Sequence, residues 1–131
     1  MPEEARTGLR LRAWIYCGDQ VAMGPKMADL LQAIENEGSI SGAARALEIS
    51  YRHAWLMVSS MNRCWRAPLV STMTGAGPRS GARLTEQGRT VLAHYRALQD
   101  FLGQAGTAKV YAVLEDCLRA EPLPEHRRSS S

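Results

Sequence analysis

The stretch GSISGAARALEISYRHAWLMVSSMNR, residues 38–63, decides the fold of this 131-residue chain. Ser41 is a suitable N-cap for a short, alanine-rich helix, because its hydroxyl can accept a hydrogen bond from an amide of the first turn. Ser50 can cap a second helix that runs to about residue 66, and only Glu48 and Ile49 precede this cap after the first helix. The stretch therefore predicts two helices joined by a tight turn.

The second helix has an apolar face and a polar face of distinctive composition. Apolar side chains recur at helical spacing, at Ala54, Val58, Met61 and Trp65. The opposite face carries cations, hydroxyls, an amide and apolar groups but no carboxylate, at Tyr51, Arg52, His53, Leu56, Ser59, Ser60, Asn62 and Arg63. From Ser39 to Arg66 the only acidic residue is Glu48. A basic second helix behind a tight turn is typical of a helix-turn-helix that places this helix in the major groove of DNA.

The residues before this stretch predict a strand, a turn and a helix. LRLRAWIYC, residues 9–17, alternates apolar side chains with basic or aromatic ones, which is typical of a half-buried strand. Gly18-Asp19 is a turn signal, and residues 20–23 can return as a short partner strand. Apolar residues at helical spacing follow Pro25 and stop before Gly38. We therefore expect an amphipathic helix from Pro25 to Glu37.

The residues after the second helix predict a β-hairpin and two further helices. Residues 69–74 and 82–85 have strand character and flank the glycine-rich segment GAGPRSG, residues 75–81. Thr85 can cap the next helix of the chain. A glycine-containing break separates that helix from a last helix within residues 103–120. A hairpin in this position is a wing. The predicted fold class is mainly α with small β: a winged helix-turn-helix with an N-terminal strand or hairpin and C-terminal dimerisation helices.

DNA contacts are expected on the helix pair and in the wing. Arg52 lies in the first turn of the second helix, where base-edge contacts arise, and a solvated surface arginine is the alternative. Tyr51 can instead pack against the helix predicted from Pro25 to Glu37, and the wing arginines can serve solubility alone. Trp55 and Trp65 are expected in the core. The predicted contacts are Ser41, Ser50, Tyr51, Arg52, His53, Leu56, Ser59, Arg63, Arg79 and Arg83.

The C-terminal helices carry an apolar stripe that exceeds what a small domain needs to cover itself. Two copies related by a two-fold axis would present two recognition helices to a palindromic site. We therefore predict a homodimer with an interface of Val91, Tyr95, Leu98, Leu102, Val110, Val113, Leu114 and Leu118. The expected organisation is a disordered N-terminus (1–8), a DNA-binding domain (9–102), a C-terminal dimerisation helix (103–120) and a disordered tail (121–131).

With these motifs in place, the chain resembles the N-terminal DNA-binding domain of the ModE-type molybdate-responsive regulators, a winged helix related to that of LysR-type regulators. The resemblance rests on SISGAA (39–44), SYRHAW (50–55), MN (61–62) and LTEQG (84–88), and covers about residues 9–102. It implies a dimer that binds a palindromic operator. ModE regulators continue into molybdate-binding modules with a Ser-Ala-Arg-Asn motif, which is absent here. We therefore expect no tight molybdate binding, and regulation through protein abundance, a separate effector-sensing subunit or another ligand.

Composition and residue spacing argue against other classes of function. The net charge is +3 and hydrophobic residues make up 45%, which indicates a soluble domain with a mild basic excess. Three dispersed cysteines indicate a reducing compartment, and the lack of a signal peptide or spanning segment predicts a cytoplasmic protein with no membrane partner. The histidines are isolated, and GAGPRSG lacks the lysine of a phosphate-binding P-loop. We expect no enzyme, no metal and no cofactor.

One rival class of function remains beside double-stranded DNA binding. A winged helix can also be a protein-interaction module that acts as a partner subunit of another regulator. Salt dependence separates the two, because several phosphate contacts make the logarithm of affinity fall steeply with the logarithm of salt concentration.

Overall fold

Helices joined by two small hairpins make up the computed structural model, which describes residues 8–73 and 81–125. In chain order the elements are β1 (Ile15–Cys17), β2 (Gln20–Met23), α1 (Pro25–Glu37), α2 (Ile40–Leu47), α3 (Tyr51–Cys64), β3 (Val70–Met73), β4 (Gly81–Leu84), α4 (Glu86–Gly103), a 3₁₀ turn (Gln104–Thr107) and α5 (Lys109–Cys117). Each sheet is a two-stranded antiparallel pair of chain neighbours, β1 with β2 and β3 with β4. The predicted fold class is confirmed.

The connection between α1 and α2 corrects one predicted cap. Gly38 ends α1 in the left-handed conformation, with φ of 78°, and its amide donates to the carbonyl of Ile34. This turn leaves Ser39 extended, and the Ser39 side chain accepts a hydrogen bond of 2.9 Å from the Gly42 amide. Ser39 is therefore the N-cap of α2, and the prediction of Ser41 is wrong. Ser41 is an exposed residue within the first turn of the helix.

The turn between α2 and α3 is closed by local hydrogen bonds. Glu48 caps α2 with φ of 59°, a left-handed conformation that costs energy for a residue with a Cβ. Ser50 caps α3 as predicted, because its side chain accepts a hydrogen bond of 2.9 Å from the His53 amide. These two caps fix where α3 begins and how it leaves α2.

The core lies where α1, α2 and α3 meet the wing and the start of α4. Its least exposed large side chains are Met23, Leu30, Leu31, Ile34, Val58, Met61 and Leu69. Ala43, Ala44 and Ala54 are buried at the helix contacts. Since alanine adds little bulk between backbones, the alanine-rich α2 can lie close to both α1 and α3.

The N-terminal strand is shorter than predicted. Only residues 15–17 of the expected strand 9–17 pair with β2, and a register irregularity falls between Ile15 and Tyr16. Leu9 and Leu11 are 40% and 45% exposed, so their alternation does not mark a buried face. The short β2 offers no partner beyond Ile15. The preceding segment is instead tied to α4, because the Tyr95 hydroxyl donates to the carbonyl of Ala13 at 2.6 Å.

The wing is a regular hairpin at its base. Val70 pairs with Leu84 and Met73 with Gly81, and the intervening partners keep the same register. The strands begin and end within a residue of the predicted ranges 69–74 and 82–85. The tip, residues 74–80, lies outside the described ranges, as do residues 1–7 and 126–131, on which most of the disorder predictions fall. Residues 121–125 contain no helix or strand.

Candidate nucleic-acid interface

The exposed face of α3 lies opposite its buried residues. Ala54, Val58 and Met61 face the core, so the helix turns a continuous polar and aromatic surface outward. Tyr51, Arg52, His53, Leu56 and Arg63 are exposed, and Ser59 is half-buried. The hydroxyl of Ser50 lies at the start of this face but is already engaged as the cap. The structure thus brings most of the predicted contacts of α3 to one surface.

Within the described ranges, no carboxylate is paired with the arginines of this surface. Among the residues that the structure describes, a single side-chain ion pair is present, between Arg96 and Asp29 at 3.2 Å. Arg52, Arg63 and the exposed Arg83 on β4 therefore have no carboxylate within 4 Å in the described ranges. Uncompensated positive charge on one side of a helix attracts an anionic partner.

Two polar residues predicted on the outward face of α3 have structural roles instead. Ser60 donates to the carbonyl of Val21 at 3.1 Å, which ties α3 to β2. The Asn62 carboxamide oxygen accepts hydrogen bonds from the amides of Leu69 and Val70, at 2.9 and 3.1 Å. The Asn62 amide group also donates to the carbonyl of Val70 at 3.1 Å. Asn62 therefore holds the first wing strand against the recognition helix.

A second attachment fixes the wing to the helix-turn-helix. The amide of Ala82 in β4 donates to the carbonyl of Gly38, in the turn between α1 and α2, at 2.9 Å. A Cβ atom on Gly81 would lie 3.3 Å from the same carbonyl oxygen, which is closer than most side chains tolerate. Glycine at this position therefore permits the close approach. The base of the wing is anchored on both sides.

Trp55 in α3 and Trp65 just after the helix differ in burial. Trp65 is half-buried, and its indole donates to the carbonyl of Ala22 at 2.9 Å, as expected of a core residue. Trp55 is 45% exposed, so its prediction as a core residue is wrong. It lies about 100° around the helix from Ala54, away from the apolar face. Tyr51, 51% exposed, does not pack into the core.

Trp55 borders a surface depression that the sequence did not reveal. This depression, called the notch below, has a volume of about 170 Å³ and lies between the start of α3, the start of α2 and the wing strands. Its lining includes Ile40, Ser41, Tyr51, Trp55, Thr72 and Met73. The wing contributes residues only because the Gly38 and Asn62 attachments bring it beside α3.

The structure describes one of the two predicted wing contacts, Arg83. Arg83 is exposed on β4, next to the buried Ala82 and Leu84. Arg79 lies outside the described residues. The structure therefore describes one exposed arginine on the wing.

The predicted dimer stripe divides into a buried and an exposed part. Val91 and Tyr95 are 9% and 2% exposed and belong to the core of this chain, so their assignment to a free apolar surface is wrong. Leu98 and Leu102 are half-buried. The four remaining predicted residues are open to solvent, although Tyr111 of α5 is buried, and Phe101 of α4, which the sequence analysis missed, is 69% exposed. These four are Val110, Val113 and Leu114 of α5 and Leu118 just after it.

Other chemistry is not assembled in the described ranges. In these ranges no three metal-ligating side chains form a cluster, and no helix is long and apolar enough to cross a membrane. Burial raises the pKa of the Cys64 thiol, and the neighbouring Cys17 acts in the same direction. A raised pKa keeps a thiol protonated, which opposes a nucleophilic role.

Comparison with known proteins places this geometry in context. Residues 26–89 match the family described as bacterial regulatory helix-turn-helix protein, lysR family. The molybdenum-pterin-binding protein MopB of Rhodobacter capsulatus is 39% identical over 100 residues, which are 76% of this chain and 35% of MopB. The DNA-binding transcriptional dual regulator ModE of Escherichia coli K12 is 36% identical over 92 residues, covering 70% of this chain and 33% of that regulator. The predicted resemblance is confirmed.

The chain spans about a third of the length of these two curated relatives. Among solved structures, the CbnR_DBD-DNA complex superposes with a TM-score of 0.52 at 18% identity, covering 67% of this chain and 95% of that chain. A LysR family transcriptional regulator, VV2_1132, superposes with a TM-score of 0.51 at 18% identity, over 69% of this chain and 29% of its own. These likenesses show the fold.

Proposed function

We propose that the chain is a sequence-specific, DNA-binding transcription regulator, because residues 26–89 match the helix-turn-helix of the lysR family of bacterial regulatory proteins. The observation that carries the proposal is the surface of α3, which exposes arginines, hydroxyls and aromatic groups without a carboxylate. The anchored wing extends this surface to one side. In this arrangement α3 enters the major groove and the wing lies along the adjacent backbone.

Arg52 is the residue proposed to read a base. It lies one position after the start of α3, is exposed, and has no ion-pair partner among the described residues. A guanidinium can donate two hydrogen bonds to the O6 and N7 atoms of guanine. Arg63 lies three turns further along the same helix face, where it can contact phosphate.

The proposal is tested by selecting bound sequences from a random pool of duplex DNA with the purified chain. On the selected site, Arg52→Ala should cost roughly 1–3 kcal/mol and relax the preference at one base pair. Lys26→Ala is a charge-matched control, because Lys26 is an exposed cation at the start of α1 and belongs to neither α3 nor the wing. An equal loss for both variants, with an unchanged base preference, would contradict base reading by Arg52.

The wing arginines are proposed to contact phosphate. Arg83→Ala should weaken specific and non-specific binding alike and lower the salt slope by about one unit. We make the same proposal for Arg79. A loss confined to one base pair with the slope intact would show that the wing reads bases.

We further propose that two copies assemble through α5. The surface proposed for the interface consists of Val110, Val113, Leu114 and Leu118 together with Leu98, Phe101 and Leu102. A two-fold dimer would present the two α3 helices to half-sites about 34 Å apart. Sedimentation equilibrium should show a dimer for the wild type and a more weakly associated dimer for Val113→Asp. A wild-type monomer at micromolar concentration would contradict the proposal.

The names of the relatives support a link to molybdenum-responsive transcription, with effector sensing supplied by another part of the regulator or by a separate subunit. The alternative function, a protein-interaction module, predicts no preferred DNA sequence and only a shallow dependence of affinity on salt. The random-pool selection and a salt titration distinguish the two directly.

A further inference from the structure

The notch beside Trp55 combines an apolar floor with unused hydroxyls. Ile40 is buried at its base, and Trp55 and Met73 present large apolar side chains that are 45% and 50% exposed. The hydroxyls of Ser41, Tyr51 and Thr72 line the same depression, and none of the three has a hydrogen-bond partner in the described part of the chain. No lysine, arginine, aspartate or glutamate is among its described lining residues.

The walls of the notch are held in place by hydrogen bonds to backbone groups. The α2 wall is fixed by the Ser39 cap, and the α3 wall by the Ser50 cap. The wing wall is fixed by the hydrogen bond from the Ala82 amide to the Gly38 carbonyl and by the Asn62 contacts to β3. The depression therefore exists before any partner binds, which reduces the ordering cost of occupying it.

The position of the notch limits what can occupy it on DNA. It lies between α3, proposed to enter the major groove, and the wing, proposed to lie along the adjacent backbone. The sugar–phosphate backbone is the ridge that separates the two grooves of a duplex. A surface between these two elements therefore faces backbone, whereas base edges face the helix itself.

We propose that the notch seats one deoxyribose–phosphate unit of the DNA backbone. The C–H surface of the deoxyribose packs on Trp55 and Met73, and the hydroxyls of Ser41, Tyr51 and Thr72 donate hydrogen bonds to the phosphate oxygens. This proposal rests on the proposed DNA-binding function and adds to it an uncharged contact that positions α3 in the groove. Its chemistry differs from that of an arginine–phosphate contact.

The uncharged contact has a distinct thermodynamic signature. Releasing counterions requires a cationic side chain at the phosphate, so loss of Trp55 removes affinity without changing the salt slope. Because a deoxyribose is common to all nucleotides, the loss applies equally to every sequence. Loss of an arginine contact lowers the slope by about one unit, so the two kinds of contact can be told apart.

The experiment compares Trp55→Ala with Trp14→Ala across a salt series, on the selected duplex and on an unrelated duplex. Trp14 is the matched control, because it is 53% exposed but lines a different depression, with Arg12 and Lys26. Trp55→Ala should weaken both duplexes roughly tenfold with an unchanged salt slope. Trp14→Ala should bind like wild type.

A scan with single ribonucleotides adds a direct probe of the sugar. At one position per half-site the added 2′-hydroxyl should meet the apolar floor and weaken wild-type binding, since burying a polar group without a partner is unfavourable. Trp55→Ala should lose this sensitivity. Tyr51→Phe should weaken binding to both duplexes without altering the ribonucleotide pattern, because it removes only a phosphate hydrogen bond.

The possible results separate this proposal from the proposed function. Wild-type binding with no effect of Trp55→Ala, or a Trp55→Ala loss confined to one base pair, overturns the notch proposal and leaves DNA binding intact. Absence of DNA binding by the wild type overturns both. If circular dichroism shows that Trp55→Ala is unfolded, Trp55→Phe replaces it in the experiment, because phenylalanine keeps an apolar floor. Retained affinity for both duplexes and a retained ribonucleotide pattern support the proposal. A changed base preference opposes it.

Discussion

Replacing Asn62 by alanine should destabilise the protein far more than an exposed polar substitution usually does. The Asn62 side chain accepts two backbone hydrogen bonds and donates one, all to Leu69 and Val70. These two residues are 0% and 3% exposed, so water cannot easily replace the lost partner. Each buried amide left without an acceptor costs about 1–3 kcal/mol, which gives a total loss of roughly 3 kcal/mol for the pair.

Urea unfolding monitored by circular dichroism measures this loss. With a slope of about 2 kcal/mol per molar urea, the midpoint should fall by roughly 1.5 M. Asn62→Asp keeps an oxygen that can accept both backbone hydrogen bonds and loses only the donated bond, so its loss should be about 1 kcal/mol. Gln32→Ala is the control, because that exposed amide makes only a 3.4 Å contact to Asn36 and should change stability by less than about 0.5 kcal/mol. An Asn62→Ala midpoint equal to that of Gln32→Ala would refute the reasoning.

Three further substitutions test other parts of the fold. Gly88→Ala should lower the free energy of unfolding by about 3 kcal/mol in the same urea assay, because its Cβ would collide with the carbonyl oxygen of Leu69; wild-type stability would contradict the packing. Burial raises the pKa of Tyr95 above its ordinary 10.0, so the unfolded chain loses this proton first and stability should fall as pH rises above about 10. Tyr95→Phe should flatten that alkaline decline while losing about 1 kcal/mol at neutral pH with the bond to Ala13, and an unchanged decline would count against the assignment. Glu48→Gly should raise the urea midpoint by relieving the left-handed conformation, and it should also strengthen DNA binding by removing an acid; a lowered midpoint would show that the Glu48 side chain is needed.

The order and type of the elements could be predicted from the sequence, because the signals that set them are local. Pro25, Ser50 and Thr85 mark helix starts through hydrogen bonds or backbone angles within a few residues, and the structure has the helices there. Local signals could not decide between Ser39 and Ser41 as the N-cap of α2, because a serine at either position can accept a hydrogen bond from an amide of the first helical turn. Only the left-handed Gly38 decides between them.

The candidate site was less predictable because its geometry comes from contacts between distant elements. The exposed arginines of α3 follow from helical spacing, but the role of Asn62 depends on where β3 packs. For Trp55 a signal was available, since its angle from Ala54 already places it off the apolar face. The apolar spacing on α4 led to the prediction of a dimer surface, but it does not specify the packing partner, and Val91 and Tyr95 pack within their own chain.

The hydrogen bond from Tyr95 to Ala13 has a consequence for the order in which the protein folds. It joins residues 82 positions apart, whereas the caps of α2 and α3 join residues three positions apart. Closing a long loop is entropically costly, so contacts of this span form late, after the local helices. An interaction that is absent from the transition state slows unfolding without speeding folding. We therefore expect the attachment of the segment before β1 to lower the unfolding rate of the protein more than it changes the folding rate.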